Sequence, residues 1–239
     1  MPKRYWLVIL TYIIVQLSGG IYIPILKQFF SNHALMVSVY YTMIASFVIG
    51  LIVILTLMKP DMELKQTRSR PSTENIALWA ILGVFMAYFA QAIAGVIETN
   101  ILGIELGSEN TQNIMDITRA VPLFAVIPAI IAPILEEVIF RKIIFGSLYE
   151  RTNFFIAALL SAFIFGIIHG EPEHLLIYAS MGFVFAFLYI KTKSIIVPII
   201  VHMTLNTISV IVQFTFSPED LERLQKQVDS IQMILIGGI

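Results

Sequence analysis

The chain has 239 residues, 58% of them hydrophobic and 13% charged, with a formal net charge of −1 and a mean hydropathy of +0.86. A soluble domain carries about 25% charged residues. Half that complement cannot cover a water-facing surface, which excludes a soluble enzyme, a disordered chain and a nucleic-acid binder with a basic stripe. The absence of cysteine excludes disulfides, thiolate metal sites and a thiol nucleophile.

A spanning helix needs about 20 apolar residues. The first such stretch runs from Tyr5 to about Phe30. It is too long, and too broken by Gly19, Gly20 and Pro24, for a cleaved secretory signal, so it is expected to stay as the first span. Ala34 to Met58 forms the second. The polar segment Lys59 to Glu74, with Pro60 and Pro71, reads as a flexible cytoplasmic loop. Asn75 to Val96 is the third span. The outer loop after it, Thr99 to Thr118, holds Glu105, Glu109 and Asp116 but no Lys or Arg. The remaining spans are Val121 to Leu148, Phe154 to Ile168, Leu175 to Ile190 and Ile195 to Phe216.

The tail opens Ser217-Pro218-Glu219-Asp220, a helix start with a cap, a proline at the first position and acids at the positive end of the dipole. Leu221, Leu224, Val228 and Ile231 then recur at helical spacing, predicting an amphipathic helix lying on the membrane. The fold class is therefore all-α: a polytopic transmembrane bundle of seven spans, or eight if the tail returns. It forms one integral-membrane domain over residues 1–239, with the chemistry concentrated over about 120–216. Lys and Arg collect in cytoplasmic loops. Lys3, Arg4, Lys59, Lys65, Arg68, Arg70, Lys142, Arg151, Lys191 and Lys193 all fall on one side if the N-terminus is cytoplasmic. A multi-pass protein of the plasma membrane is expected.

Ionisable residues inside such spans are costly, about 2.5–3.5 kcal/mol each on insertion scales, and mark function. The fourth span reads Ala132-Pro133-Ile134-Leu135-Glu136-Glu137-Val138-Ile139-Phe140-Arg141. Glu137 and Arg141 stand at i,i+4 and can pair. Adjacent residues differ by about 100° on a helix, so Glu136 falls on a neighbouring face, free to act. Pro122, Pro128 and Pro133 precede the glutamates and predict a bent or broken helix that admits water beside Glu136. The fifth span ends in His169. The seventh carries His202 and Asn206 at i,i+4, a polar face that must turn inward. Depth counting places His169 nearer the outer surface than His202 by roughly 12 Å. His33 and His174, in short loops, are expected to be solvated.

A carboxylate, two imidazoles and an amide suffice for hydrolysis by an activated water, with donors aimed at the developing oxyanion. Glu136, His169 and His202 could equally hold a zinc ion that lowers the pKa of its water. No H-E-x-x-H, G-x-S-x-G or Ser–Lys pattern is present.

Glu136-Glu137-x-x-x-Arg141, then Phe165-x-x-x-His169, then His202-x-x-x-Asn206, each on an apolar span, resembles the three-motif signature of the CAAX protease and bacteriocin-processing family, also called Abi. These intramembrane endopeptidases are related to the type II CAAX prenyl proteases. The resemblance covers roughly Pro133 to Asn206, and the first half of the chain matches nothing beyond being helical and apolar. It implies that Glu136 activates water with help from His169, that His202 and Asn206 stabilise the oxyanion, and that Glu137 and Arg141 organise the site. It leaves open a metalloprotease and a metal-free, glutamate-dependent mechanism, and whether the membrane-associated peptide substrate is lipidated. From the residues alone, a proton-coupled transporter and a non-catalytic scaffold or immunity protein stand as alternatives.

Overall fold

The computed structural model describes residues 1–64, 72–104 and 107–216, together with Asp220 and Arg223; the side chains of 62–64 are outside the description. All the regular structure among these residues is helical. Helix α1 (Lys3–Leu17) and α2 (Gly19–Leu26) make up the first span, interrupted at Ser18, whose hydroxyl turns back to the Val15 carbonyl at 2.7 Å and meets Ser46 at 3.1 Å. Helix α3 (Asn32–Leu64) and α4 (Thr73–Asn100) follow, then the short α5 (Glu109–Ala120). The fourth span, α6 (Pro122–Tyr149), precedes α7 (Phe154–Ile168), α8 (Leu175–Thr192) and α9 (Ile196–Thr215).

Six of these segments are long and apolar enough to cross a membrane, and α7, with 15 residues, is apolar but shorter. This matches the polytopic helical bundle expected from hydropathy. Two details differ. The segment expected to be a loop from Lys59 is helical as far as Leu64, continuing straight through Pro60, because Asp61 is held by Arg4 at 3.0 and 3.1 Å and by the Tyr5 hydroxyl at 3.0 Å. The outer loop is not all loop either. Ser108 accepts from the Thr111 N–H at 3.0 Å and starts α5, an amphipathic helix that buries Met115 and Thr118. The amphipathic tail helix expected after Ser217 lies outside the described residues.

Burial singles out one helix. In α6, 61% of the most apolar window is buried within the protein, against 17–33% for the other five long spans. Three cores lie around it, one of them built on its own Phe145 against Ala157, Ala158 and Ala186. Another joins α1, α3 and α6 through Val8, Tyr12, Phe47, Ile54, Leu135 and Phe140. The third joins α4, α8 and α9 through Ala87, Phe185, Leu188, Val197 and Val201. Helix α6 is thus a central post, and the outward faces of the others carry exposed Trp6, Phe85, Phe89, Phe155 and Leu159, the pattern of a lipid-facing ring.

Candidate active site

The prolines of α6 decide its local geometry. Pro122–Ala125 is a 3₁₀ turn, Ile127–Ile131 is π-helical, Ala132–Glu136 is α-helical, and Glu137–Phe145 is π-helical again. In a π turn the carbonyl of residue i receives the N–H of i+5. The partner of the Pro128 carbonyl in that pattern is residue 133, a proline with no N–H, and the first π stretch stops there. Asn206 of α9 supplies the missing donor: its Nδ2 lies 2.9 Å from the Pro128 oxygen. The fourth span is therefore helical throughout but changes its hydrogen-bond pattern along its length, and Asn206 satisfies a carbonyl that Pro133 leaves without a donor.

One turn further on, α6 changes from α to π between the two glutamates. Glu137 is fully buried, and its Oε1 accepts from His202 Nδ1 at 3.0 Å. Its Oε2 lies 3.1 Å from Arg141 Nε. That contact is close enough for an ion pair, but the N–H is not aimed along it, so neither atom is hydrogen-bonded. All three Arg141 nitrogens and Glu137 Oε2 lack a hydrogen-bond partner among the described residues. The guanidinium instead lies over the rings of Phe165, Phe185 and Phe140, 4.6, 5.1 and 5.9 Å from their centroids. Glu136 has 13% of its side chain exposed, and its Oε2 is 3.6 Å from His202 Nε2. The neighbouring carboxylates thus meet opposite nitrogens of one imidazole, and Glu136 is less free than its helical angle alone implies.

His202 is buried, stacked on Phe185 at 5.0 Å, with the edge of Phe165 at 6.1 Å. Phe165 also packs on His169 at 4.4 Å, so both motif histidines rest on one ring although they come from different helices. His169 closes the C-terminus of α7, and its Nδ1 is 2.7 Å from the Phe165 carbonyl. A carbonyl only accepts, so Nδ1 carries the proton and Nε2 of the neutral ring is left as a base. All seven residues singled out by the motifs, Glu136, Glu137, Arg141, Phe165, His169, His202 and Asn206, fall in this region. No three His, Asp or Glu side chains among the described residues approach closely enough to hold a metal ion. As placed, the donor set does not fit a zinc site. Two shallow apolar grooves flank α9, one along Ile200, Met203 and Thr207 and the other between Pro122 and Phe214, and none of the seven residues lines either.

Several neighbours escaped the sequence reading. Tyr12 of α1 is buried with its ring edge-on to Phe140, centroids 6.5 Å apart. His174 is not solvated: its Nδ1 is 3.0 Å from Oε2 of Glu98, which is 2% exposed and whose Oε1 also receives the Leu176 and Ile177 N–H groups at 3.0 and 3.1 Å. Glu98 sits near the end of an apolar helix, the same signal that marks Glu136, and that signal could have found it. Glu171 receives the Ser108 hydroxyl at 2.8 Å, the Asn110 N–H at 3.0 Å and the Tyr178 hydroxyl. Burial pushes its carboxyl upward, but the bonds from Tyr178, Asn110 and Ser108 and the nearby His174 outweigh that and hold it below the usual carboxylate range.

A buried carboxylate–imidazole cluster on the central helix of a membrane bundle is the equipment of an intramembrane hydrolase. Residues 118–208, which contain every site residue, match the family model described as type II CAAX prenyl endopeptidase Rce1-like. The chain is 44% identical to "Putative membrane peptidase YdiL" of Bacillus subtilis (strain 168), over all of this chain and 99% of that protein. It is 32% identical to the membrane-embedded CAAX protease MroQ of Staphylococcus aureus (strain USA300), over 98% of this chain and 99% of the relative. No solved structure matches it. The chain belongs to the CAAX protease family of intramembrane peptidases, and its first half, featureless by motif, is shared with these relatives along the full length.

Proposed function

We propose that this membrane protease cleaves a peptide bond in a membrane-associated, lipid-bearing peptide by means of a water activated by Glu136. The observation that supports it best is the meeting of Glu136 and Glu137 on the two nitrogens of His202, at 3.6 and 3.0 Å, inside the most buried span. Glu137 fixes His202 through Nδ1 and is itself balanced by Arg141, so the partly exposed Glu136 is the carboxylate left to meet water. It takes a proton from the water as the oxygen attacks the scissile carbonyl, and delivers it to the leaving amine. His169, with Nε2 free, assists in orienting that water. A proton on His202 Nε2 and the second N–H of the Asn206 amide stabilise the oxyanion. The proposed catalytic unit spans about 120–216, and the family model matches residues 118–208. The lipid-bearing substrate is suggested by the names of the matched family and of the staphylococcal relative.

The test uses the full chain in proteoliposomes and two internally quenched peptides ending in a cysteine, two aliphatic residues and one variable residue, one farnesylated and one not. The wild-type protein is expected to cleave the farnesylated peptide, and Glu136→Gln to lose about 10²–10⁴-fold in rate, the usual contribution of a general base, while accumulating normally. Wild-type rates from Glu136→Gln would overturn the mechanism. Equal cleavage of both peptides would remove the lipid from the substrate.

A further inference from the structure

We infer that Tyr178 and Glu171 are positioning residues that hold the His169 imidazole in one orientation and tautomer, tying it to the start of the outer helix α5. The inference rests on the reading of His169 as the histidine that assists the attacking water.

His169 occupies a weak place in the fold. It caps the C-terminus of α7, one residue past Ile168, and is followed at once by Gly170 in a left-handed conformation, φ +77°. A side chain there has no following helical turn to restrain it. Its bond to the Phe165 carbonyl fixes one nitrogen but still lets the ring rock about that contact. What closes the other face is Tyr178, whose ring lies 4.2 Å away and only 25° from parallel. Phe165 sits at 4.4 Å, so the imidazole rests between two aromatic rings.

Tyr178 is itself immobilised from a distance. Its hydroxyl donates to Glu171 Oε2, which also accepts from Ser108, while Oε1 accepts the Asn110 N–H. Ser108 and Asn110 are the cap and second helical position of α5. The Glu171 carboxylate therefore holds three donors at once, two from the outer helix and one from the residue that packs on His169, and it is 5% exposed. The N-terminus of α8 is separately pinned by Glu98 through the Leu176 and Ile177 N–H groups and His174. The path from α5 to His169 through the Tyr178 hydroxyl can thus be cut without removing what anchors α8. Partners that orient metal-bound histidines from behind contribute about 10–100-fold when removed, and the same order is expected for a histidine that orients water.

The deciding measurement is ¹⁵N NMR of the full chain, labelled at its four histidines and embedded in nanodiscs, with His169 assigned from a His169→Gln spectrum. Tyr178→Ala is expected to move the His169 signals from the Nδ1–H pattern toward mixed tautomers, leaving His33 and His202 in place. Tyr178→Phe and Glu171→Gln, which keep the stacked ring but loosen it, are expected to shift them less. In turnover of the farnesylated peptide, Tyr178→Ala is expected to lower kcat about 10–100-fold at unchanged KM, with partial recovery in Tyr178→Phe. A His169 spectrum in Tyr178→Ala identical to wild type overturns the proposal. A moved spectrum with wild-type kcat supports the clamp and overturns the role of His169 at the water.

Discussion

Glu98 and Glu137 are equally withdrawn from solvent, at 2% and 0% exposure, yet they are held in opposite ways. Glu98 bonds two backbone N–H groups and His174, and Glu171 nearby holds three donors. These outer carboxylates are saturated, and their partners are the ends of helices. They fasten α4 and α5 to the segment that begins α8. Glu137 instead faces an arginine whose nitrogens have no hydrogen bond among the described residues, in a box of phenylalanine rings. Saturation marks the acids that assemble the bundle; incomplete satisfaction marks the pair beside the carboxylate proposed to act on water, where buried polar groups left short are a reservoir rather than a defect.

Substitutions can break this contrast. The largest effect is expected from Arg141→Ala, which leaves Glu137 as an uncompensated buried charge and costs about 3–5 kcal/mol, read as a lower melting temperature in detergent together with loss of activity. Replacing both partners by apolar residues, Glu137→Leu with Arg141→Met, is expected to recover most of that stability and none of the activity, since a buried ion pair is often exchangeable for hydrophobic packing. Full stability in Arg141→Ala alone would show that the pair carries no strain. Next in size, Glu98→Ala orphans two N–H groups and His174, a loss of about 1–3 kcal/mol. In contrast to Glu136→Gln, it should depress melting far more than kcat.

The smallest effect concerns acid. The folded Glu171 carboxyl lies below its ordinary value of 4.5, so its contribution is complete above that value and is lost as pH falls through the lower folded one. Melting temperatures recorded from neutral to acid pH should drop more steeply for the wild-type protein than for Glu171→Gln. Parallel curves would remove Glu171 from the outer fastening.

Much of this arrangement is legible before any coordinates. The apolar runs mark the spans, and the cost of intramembrane charge points directly at Glu136, Glu137 and Arg141. The prolines of α6 announce irregular hydrogen bonding, which the structure shows as 3₁₀ and π stretches within a continuous helix. Less legible is what depends on distant pairing. Glu98 and His174 lie 76 positions apart, and nothing in their local surroundings says that they meet. Tyr178 looks like any aromatic on an apolar helix until its ring is seen against His169. Depth counting separated the two histidines along the membrane normal because it assumed straight helices; both nevertheless pack on Phe165, and α7 is short while α6 is partly π-helical.

The brevity of α7 reaches beyond the protein. Fifteen residues at 1.5 Å each cover about 22 Å, against a hydrocarbon core of about 30 Å. The outer face of this helix, with Phe155, Leu159 and Ile167 exposed, is apolar, so lipid must lie against it. Local thinning of the bilayer is one response to so short an apolar wall, and thinning at the C-terminal end of α7 would bring the headgroup layer toward His169. On the proposed function, water and a membrane-anchored peptide would then reach the histidine over a lowered rim of membrane instead of through a deep shaft. Turnover in vesicles of short-chain lipid should accordingly exceed that in long-chain ones, making bilayer thickness part of the enzyme's working geometry.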